Sequence, residues 1–226
     1  MAHNIIKLVK PADIVTLVNA LLGLASVILV IGGRINDALV LILIAVVADA
    51  ADGAVARKMG FGALGENLDS LADTISFGVA PAVVAYAVLD NWNGGVSGVL
   101  AGLYMVCGIL RLARFNVAGR KNVFTGLPIT AGGFIVALFV LVRDYVPYFE
   151  PAFAVLLVIL SVLMVSTIAY PKHKSPVLIA PMALLLVIYI VAFYSGYADS
   201  VKPVSMVLLI LMFAYVLTPL GKKFND

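Results

Sequence analysis

Long apolar runs dominate this chain and decide what it can fold into. Of its 226 residues, 63% are hydrophobic and 12% are charged, and the mean hydropathy is +1.13. Soluble domains carry roughly 25% charged residues, so this composition places the chain in a bilayer. A transmembrane helix needs about 20 apolar residues, and eight runs between charged or Gly/Pro-rich breaks reach that length. They span 12–32, 35–57, 68–89, 95–117, 127–146, 151–170, 176–196 and 202–220.

These runs use nearly the whole chain, which predicts a single all-α integral membrane domain over residues 1–226 and no soluble domain. The run from Ile14 to Ile31 is long enough to span and has no compact signal-peptide core followed by a cleavage site. We therefore predict a membrane helix there. Cys107 is the single cysteine, which excludes an intramolecular disulfide, and its apolar surroundings predict a small buried side chain.

Basic residues predict the orientation, because cytoplasmic loops carry an excess of Lys and Arg. With the N-terminus inside, all but three of the fifteen basic residues fall on the cytoplasmic side. The three exceptions are Arg34, Arg143 and Lys202. We therefore expect an even number of spans with both termini in the cytoplasm. The net charge of +3 implies no nucleic acid, since basic flanks anchor helices against anionic headgroups.

Several aspartates lie inside these runs, where an ionised carboxylate is costly, and four of them are grouped around one break. Asp49 and Asp52 fall in the last turns of the second run, and Asp69 and Asp73 fall in the first turns of the third. Spacings of three and four residues place each pair on one helix face. Because the second helix runs inward and the third returns, both faces lie near the same membrane side. The four carboxylates can therefore converge.

Converging carboxylates repel one another, and a divalent cation would relieve that repulsion. All-oxygen ligation favours Mg²⁺, Mn²⁺ or Ca²⁺, whereas zinc prefers His and Cys. The two histidines, His3 and His173, lie in terminal or loop positions. We predict a divalent-metal site that can take two ions. The alternative is that the aspartates cap helices or pair with Arg57 and Lys58.

Small residues flank the aspartates of the second run and leave one side of that helix nearly bare. Such a surface permits close helix packing or the approach of a flat ligand. Gly53 is the most informative of them, because a glycine in mid-helix costs about 1 kcal/mol relative to alanine. A nucleotide lying against the backbone would account for it. The small residues are Ala48, Ala50, Ala51, Gly53, Ala54 and Ala56.

The aspartates belong to a longer motif. Residues 49–57 (DAADGAVAR) and 65–73 (GENLDSLAD) resemble the signature of the CDP-alcohol phosphotransferases, D-x-x-D-G-x-x-A-R-x8-G-x3-D-x3-D. The spacer 58–64 has seven residues where the signature has eight, and we expect a tightened turn between the two helices.

Three further segments resemble the phosphatidylserine synthase branch of that family. They are 68–82 (LDSLADTISFGVAPA), 111–116 (RLARFN) and 124–130 (FTGLPIT). The resemblance covers most of residues 1–135, while residues 136–226 add further transmembrane helices. Within that second part, the loop 170–174 (YPKHK) is also similar to the branch.

The resemblance implies that a phosphatidyl-type group passes from a CDP-linked lipid, CDP-diacylglycerol or CDP-archaeol, to the hydroxyl of L-serine, with release of CMP. It also implies a homodimer. The charge asymmetry described above predicts that the active site lies at the cytoplasmic face of the cell membrane. The implied general base is Asp73. The implied metal ligands are Asp49, Asp52, Asp69 and Asp73, and the implied nucleotide and CDP-lipid residues are Asp49, Asp52, Gly53, Ala56, Arg57 and Gly65.

Other polar residues are candidates for the substrates. Arg111 and Arg114 lie about a turn inside the fourth run, with Asn116 just after them. Planar guanidinium groups suit carboxylates and phosphates, so we predict that one arginine holds the serine carboxylate and the other a lipid phosphate. Asn19 lies at membrane depth in the first run, where either nucleotide contact or a hydrogen bond between helices would account for it.

Two other functions are compatible with these residues. The acceptor could be inositol phosphate or glycerol phosphate, although a phosphorylated acceptor would require a more basic pocket. An ion-coupled transporter is the second alternative, because clustered intramembrane carboxylates also mark ion pathways. Against transport, the carboxylates lie at one face of the membrane, away from its midplane, and the sequence shows no internal repeat.

Overall fold

A computed structural model describes residues 5–59, 64–118, 123–171, 176–197 and 202–221. The fold is all-α apart from two short strands, β1 (Val123–Thr125) and β2 (Ala169–Pro171). A π-helical segment, Thr74–Val79, joins the third helix to the fourth, and 3-10 turns lie at Ile5–Leu8 and Arg143–Tyr145. The helices are α1 (Pro11–Ile31), α2 (Ile35–Met59), α3 (Gly65–Asp73), α4 (Ala80–Ala118), α5 (Ile129–Leu141), α6 (Phe149–Val165), α7 (Pro176–Tyr194) and α8 (Lys202–Gly221).

Helix length and hydropathy confirm the prediction of an all-α membrane protein. Five helical stretches of the described chain are long and apolar enough to cross a membrane. They are Pro11–Ile31, Ile35–Ala56, Gly65–Asn93, Gly95–Val117 and Lys202–Pro219. The shorter apolar helices Ile129–Leu141, Phe149–Val165 and Pro181–Tyr194 coincide with the other three predicted runs. The count of eight spans and the orientation of the termini stay predictions.

One break within α4 separates two of these spans. Asn93 has φ −162° and ψ 92°, which is extended backbone inside an otherwise helical stretch. The break predicted between the runs 68–89 and 95–117 is therefore present at Asn93. Cys107 lies beyond this break, and its side chain is buried as predicted.

Helix α5 runs through the centre of the bundle. It is apolar all round, and such a helix is stable only when neighbours cover every side. Helices α2, α4 and α8 and the π-helical segment pack against it. Gly133 permits a close approach to the π-helical segment, since a Cβ there would lie 3.0 Å from the Cβ of Phe77. The chain that leaves β1 therefore enters the core directly at the start of α5.

Helix α1 buries one stripe against α2 and the π-helical segment and exposes its other face. The buried stripe follows i, i+3 and i+7 spacing, which places it on one face of the helix. Gly23 lies in this stripe, and a Cβ there would come within 2.6 Å of the Ser76 Oγ. The stripe includes Thr16, Asn19, Gly23 and Ser26, and the exposed apolar face includes Leu17, Leu21, Leu24 and Ile28.

The two strands join distant parts of the sequence. β1 and β2 pair in antiparallel fashion, with Thr125 opposite Ala169 and Phe124 opposite Tyr170. This pairing brings the 124–130 segment next to the end of α6. The rest of the 170–174 loop and both histidines lie outside the described residues.

Candidate active site

The structure brings three of the four predicted aspartates together. Asp49 of α2 and Asp69 and Asp73 of α3 each place a carboxylate oxygen within 4.8 Å of the other two. Asp69 and Asp73 are four residues apart and share one face of α3, as their spacing predicts. Helix α2 delivers Asp49 to the same place near its C-terminal end. A cluster of like charges from two helices therefore forms at one end of the bundle.

Asp52 lies beside this cluster and takes part in a different contact. Its carboxylate is 5% exposed and accepts a hydrogen bond from the Thr16 Oγ1 at 2.7 Å. Three residues along an α-helix turn a side chain by about 60° from its starting direction. That rotation points Asp52 toward α1 while Asp49 faces α3. Asp52 is still close enough to interact electrostatically with Asp49 and Asp73.

Two features of the cluster suit a bound cation. The Asp73 side chain is 6% exposed, and its buried Oδ1 has no hydrogen-bond partner among the described residues. A buried polar atom without a partner is costly unless a ligand or water satisfies it. The donors are all oxygen, which fits a hard divalent cation such as Mg²⁺ or Mn²⁺. The arrangement therefore fits a divalent-metal centre.

A threonine from the central helix contacts the cluster. The Thr130 Oγ1 donates a hydrogen bond to the Asp49 Oδ2 at 3.4 Å. Thr130 is the second residue of α5, and Pro128, with φ −57° and ψ 139°, directs the chain into that helix. Thr130 and Thr16 were not predicted as site residues. For both threonines, the feature of the sequence that could have indicated a role is a hydroxyl side chain within an apolar run.

The π-helical segment holds the end of α3 in place. The Ser76 Oγ donates to the Asn19 carbonyl oxygen at 2.7 Å, and the Tyr104 hydroxyl donates to the Phe77 carbonyl at 3.0 Å. Single-turn π segments inside α-helices occur frequently at functional sites. This segment begins directly after Asp73, so both hydrogen bonds fix the helix that carries the cluster.

Asn19 is buried at the same level as this segment. Its side chain is 0% exposed, and neither Oδ1 nor Nδ2 has a hydrogen-bond partner among the described residues. The contact between helices at this residue is made by its backbone carbonyl. The buried amide therefore has unused hydrogen-bonding capacity about one turn from Thr16 on the same face of α1.

The remaining predicted nucleotide residues line the end of α2 and the start of α3. Gly53 follows Asp52 directly in α2, Ala56 is buried in the same helix, and Gly65 is the buried first residue of α3. Arg57 lies in α2, but its side chain is outside what the structure describes. The tightened turn predicted for the spacer falls on residues 60–63, which are also outside the described range.

The two predicted substrate arginines have different surroundings. Arg111 is 6% exposed, its guanidinium carbon lies 5.4 Å from the centre of the Phe115 ring, and it interacts electrostatically with Asp73 and Asp49. Arg114 instead donates four hydrogen bonds to backbone carbonyls. Arg111 is thus electrostatically coupled to the aspartates, while the terminal nitrogens of Arg114 are turned to the backbone.

Asn116 connects the end of α4 to α3. Its Oδ1 accepts a hydrogen bond from the Ser70 Oγ at 3.0 Å, and its side chain is exposed. Ser70 follows Asp69 directly in the chain, so Asn116, which was predicted to bind the acceptor or a phosphate, lies near the cluster. Ser70 was not predicted either, although it stands between two aspartates of the motif.

The sequence of this chain is similar to those of several known proteins. Residues 10–169 match the family model described as CDP-alcohol phosphatidyltransferase. An archaetidylserine synthase of Methanothermobacter thermautotrophicus is 43% identical over 166 residues, covering 71% of this chain and 69% of that protein. A CDP-diacylglycerol–serine O-phosphatidyltransferase of Methanocaldococcus jannaschii is 35% identical over 190 residues, covering 83% and 87%. A Bacillus subtilis enzyme of the same name is 36% identical over 167 residues, covering 71% and 89%. The chain belongs to the CDP-alcohol phosphatidyltransferase family.

Proposed function

We propose that this chain transfers a phosphatidyl-type group from a CDP-linked lipid to the hydroxyl of L-serine and releases CMP. The observation that carries the proposal is the cluster of Asp49, Asp69 and Asp73, which fits a divalent cation at one end of a membrane bundle. The printed names of the relatives, archaetidylserine synthase and serine O-phosphatidyltransferase, support serine as the acceptor.

The three clustered carboxylates would hold the metal, and Asp52 would join them as the fourth ligand. We propose two ions, Mg²⁺ or Mn²⁺, with Ca²⁺ as the alternative. When bound, divalent ions neutralise charge on phosphate oxygens as the leaving group departs. The hydroxyl of Thr16 holds the Asp52 carboxylate against α1 beside the cluster, and that of Thr130 contacts Asp49 within it.

Asp73 serves as the general base in this proposal. The serine hydroxyl oxygen attacks the lipid-side phosphorus, a new P–O bond forms, and the bond between that phosphorus and the bridging oxygen of CMP breaks. The carboxylate of Asp73 takes the hydroxyl proton, and CMP carries away the bonding electron pair. A base must lie within hydrogen-bond reach of the proton that it removes. The buried Asp73 Oδ1, which has no partner among the described residues, suits that task.

In this proposal the two substrates bind on different sides of the cluster. The nucleotide would lie along α1, α2 and the start of α3, against Asn19, Gly53, Ala56, Arg57 and Gly65. Serine would lie toward α4, where the buried guanidinium of Arg111 offers a planar partner for its carboxylate. Asn116 borders the same side through Ser70.

The placement in the membrane follows from the charge asymmetry of the sequence. We propose eight spans, cytoplasmic termini and an active site at the cytoplasmic face of the cell membrane, where CDP-linked lipids and serine meet. The basic residues support this orientation, since all but three of fifteen fall on that side. We also propose that the protein works as a homodimer, as the family resemblance implies.

The test uses the purified full-length protein with CDP-diacylglycerol or CDP-archaeol. CMP release is followed with serine, inositol phosphate or glycerol phosphate as the acceptor, in the presence of Mg²⁺, Mn²⁺ or Ca²⁺. We expect release with serine and a divalent ion. Release with a phosphorylated alcohol and not with serine would reassign the acceptor. Accumulation of labelled serine in sealed vesicles without a lipid product would favour the transporter.

A further inference from the structure

The hydrogen bonds of Arg114 show that its guanidinium binds other parts of the same chain. Its Nη1 donates to the carbonyls of Val165 at 3.1 Å and Ser166 at 2.9 Å. Its Nη2 donates to the carbonyls of Thr125 at 2.7 Å and Met164 at 2.9 Å. All four partners are backbone oxygens, and they come from two separate segments of the chain.

Three of these carbonyls lie at the C-terminal end of α6. Val165 is the last residue of that helix and Ser166 is its cap. The final carbonyls of a helix have no partner within the helix and carry the negative end of its dipole. A guanidinium placed there satisfies them and is electrostatically favourable. Arg114 therefore caps the C-terminal end of α6, as a basic residue in the last turn of that helix would do.

The fourth carbonyl ties this helix end to the chain that enters the site. Thr125 is the last residue of β1, the Gly126 N–H donates to the Ile168 carbonyl at 2.8 Å, and the Leu127 N–H donates to the Leu163 carbonyl at 3.0 Å. Helix α5 starts two residues later and carries Thr130, whose hydroxyl contacts Asp49. A continuous path of hydrogen bonds and backbone thus leads from Arg114 to the acidic cluster.

Gly126 shows how closely these parts fit. Its φ is +79°, a conformation that favours glycine. A Cβ at this position would overlap both the Met164 carbonyl oxygen and the Arg114 guanidinium. Replacement of Gly126 by alanine would therefore disturb the contacts of Arg114 while leaving its positive charge in the protein.

We infer that Arg114 is a positioning residue that fastens the end of α6 to the β1–α5 junction and so sets Thr130 against Asp49. The inference rests on the proposed function for the role of Asp49, and it assigns the two arginines different tasks. Arg111 faces the aspartates and the substrate, whereas Arg114 acts through the backbone. The inference also requires the planar, forked donor group of arginine. A lysine ammonium cannot reach the carbonyls at the end of α6 and at the end of β1 at once.

The test compares Arg114→Lys, Arg114→Gln and Gly126→Ala with the wild type, using full-length purified protein. Binding of Mn²⁺ is measured by electron paramagnetic resonance, and the kcat and the KM for serine are measured by CMP release. We expect all three variants to weaken Mn²⁺ binding by about tenfold and to lower kcat, with little change in the KM for serine. Arg114→Lys should resemble Arg114→Gln, because both lose the planar donor group.

A different pattern would overturn the inference. If Arg114 bound a substrate anion, Arg114→Gln would raise the KM for serine or CDP-lipid, Arg114→Lys would restore part of it, and Mn²⁺ binding would be unchanged. If the wild type released no CMP with serine, the proposed function would fail, while the Mn²⁺ measurement would still decide the role of Arg114.

A second pair of variants covers the case in which the Arg114 and Gly126 variants do not fold. Thr130→Val removes the hydroxyl that contacts Asp49, and Thr130→Ser keeps it. We expect Thr130→Val to weaken Mn²⁺ binding by about threefold, since one long hydrogen bond is lost, and Thr130→Ser to match the wild type. Equal Mn²⁺ binding in both would break the path from Arg114 to the cluster and reject the inference.

Discussion

Acidic side chains have different neighbours at the two ends of the bundle. At the aspartate end, Asp49, Asp69 and Asp73 gather within 4.8 Å of one another. At the opposite end, acids pair with bases. Arg34 lies 3.0 Å from Asp37, Lys202 lies 2.8 Å from Asp144, and Arg143 lies 3.8 Å from the same carboxylate.

Helix α2 carries an aspartate of each kind, Asp37 in an ion pair and Asp49 in the cluster. Asp37 and Asp49 are twelve residues apart in this helix, so they are separated by about 18 Å along its axis. Surface ion pairs such as that of Asp37 contribute little to stability. Buried like charges oppose folding, and a cation that binds only the folded protein would offset that cost. The comparison teaches that acids are matched with nearby bases at one end, whereas at the other end several carboxylates meet in an arrangement that a bound cation would stabilise.

The largest effect expected at the aspartate end is that of Asp73→Asn. This change keeps the shape of the side chain and removes its ability to accept a proton. We expect CMP release to fall by about 10³-fold, the scale of general-base catalysis. Asp144→Asn at the opposite end is the matched control and should keep wild-type activity. If the two variants had equal activity, Asp73 would not be the base.

Removal of the metal is expected to lower both the activity and the stability of the protein. Substitutions at the aspartate end should change this response, and substitutions at the opposite end should not. A chelator should stop CMP release, and added Mn²⁺ or Mg²⁺ should restore it. At 100 times its dissociation constant, a bound ion stabilises the folded protein by about 2.7 kcal/mol, which appears as a higher melting temperature. Asp49→Asn should reduce this shift, while Asp37→Asn should preserve it. Full activity in the chelator would reject the metal site.

The contact between Thr16 and Asp52 predicts a smaller effect. The Thr16 hydroxyl lies 2.7 Å from the carboxylate, and both side chains are buried. Thr16→Val removes the donor without changing the shape, so we expect CMP release to fall by about tenfold, the cost of one hydrogen bond to a charged group. Thr16→Ser retains a hydroxyl and is the control. Wild-type activity in Thr16→Val would mean that Asp52 is placed without this bond.

The sequence predicted the features that depend on local spacing. Asp69 and Asp73 share a face because they are four residues apart, and Asp49 meets them because consecutive antiparallel helices bring their ends together. The turn at Asn93 and the burial of Cys107 followed equally from local composition. Period, length and turn residues are sufficient for such predictions.

Features that depend on distant contacts were not predicted. The partners of Arg114 are 11 to 52 residues away in the chain, so no local pattern distinguishes it from Arg111. The rotation of Asp52 toward Thr16 depends on how α1 packs against α2. The π-helical turn after Asp73 depends on the hydroxyl of Tyr104, which belongs to another helical segment. Each requires knowledge of which helices are neighbours.

Close helix approach near the aspartate end predicts a change in stability. A Cβ on Gly23 would lie 2.7 Å from the Ser76 Cα, which is closer than backbone atoms tolerate. We expect Gly23→Ala to destabilise the protein by about 1–3 kcal/mol, the usual cost of overpacking. Gly102→Ala is the control, because no described atom beyond its own stretch of helix lies within 4 Å of the Cβ position there. Equal melting temperatures for the two variants would contradict this account of α1 packing.

The smallest expected effect lies at the opposite end, in the pair of Asp144 and Lys202. The Lys202 ammonium donates a hydrogen bond to Asp144 and holds the pKa of that carboxyl below its ordinary value of 3.8. A lowered pKa in the folded protein means that the pair stabilises the fold above that ordinary value and ceases to do so as the pH falls through the lowered one. Asp144 is exposed, so the loss is small.

Melting temperatures of the wild type and Asp144→Asn, measured from neutral pH to about pH 3, would isolate this pair. We expect a slightly lower value for the variant at neutral pH and convergence of the two curves at the acid end. Lys202→Met should show most of the change seen in Asp144→Asn, because it removes the shorter of the two ion pairs made by Asp144. A large difference that persists at low pH would mean that Asp144 supports the bundle by packing, and the contrast between the two ends would then no longer be one of charge alone.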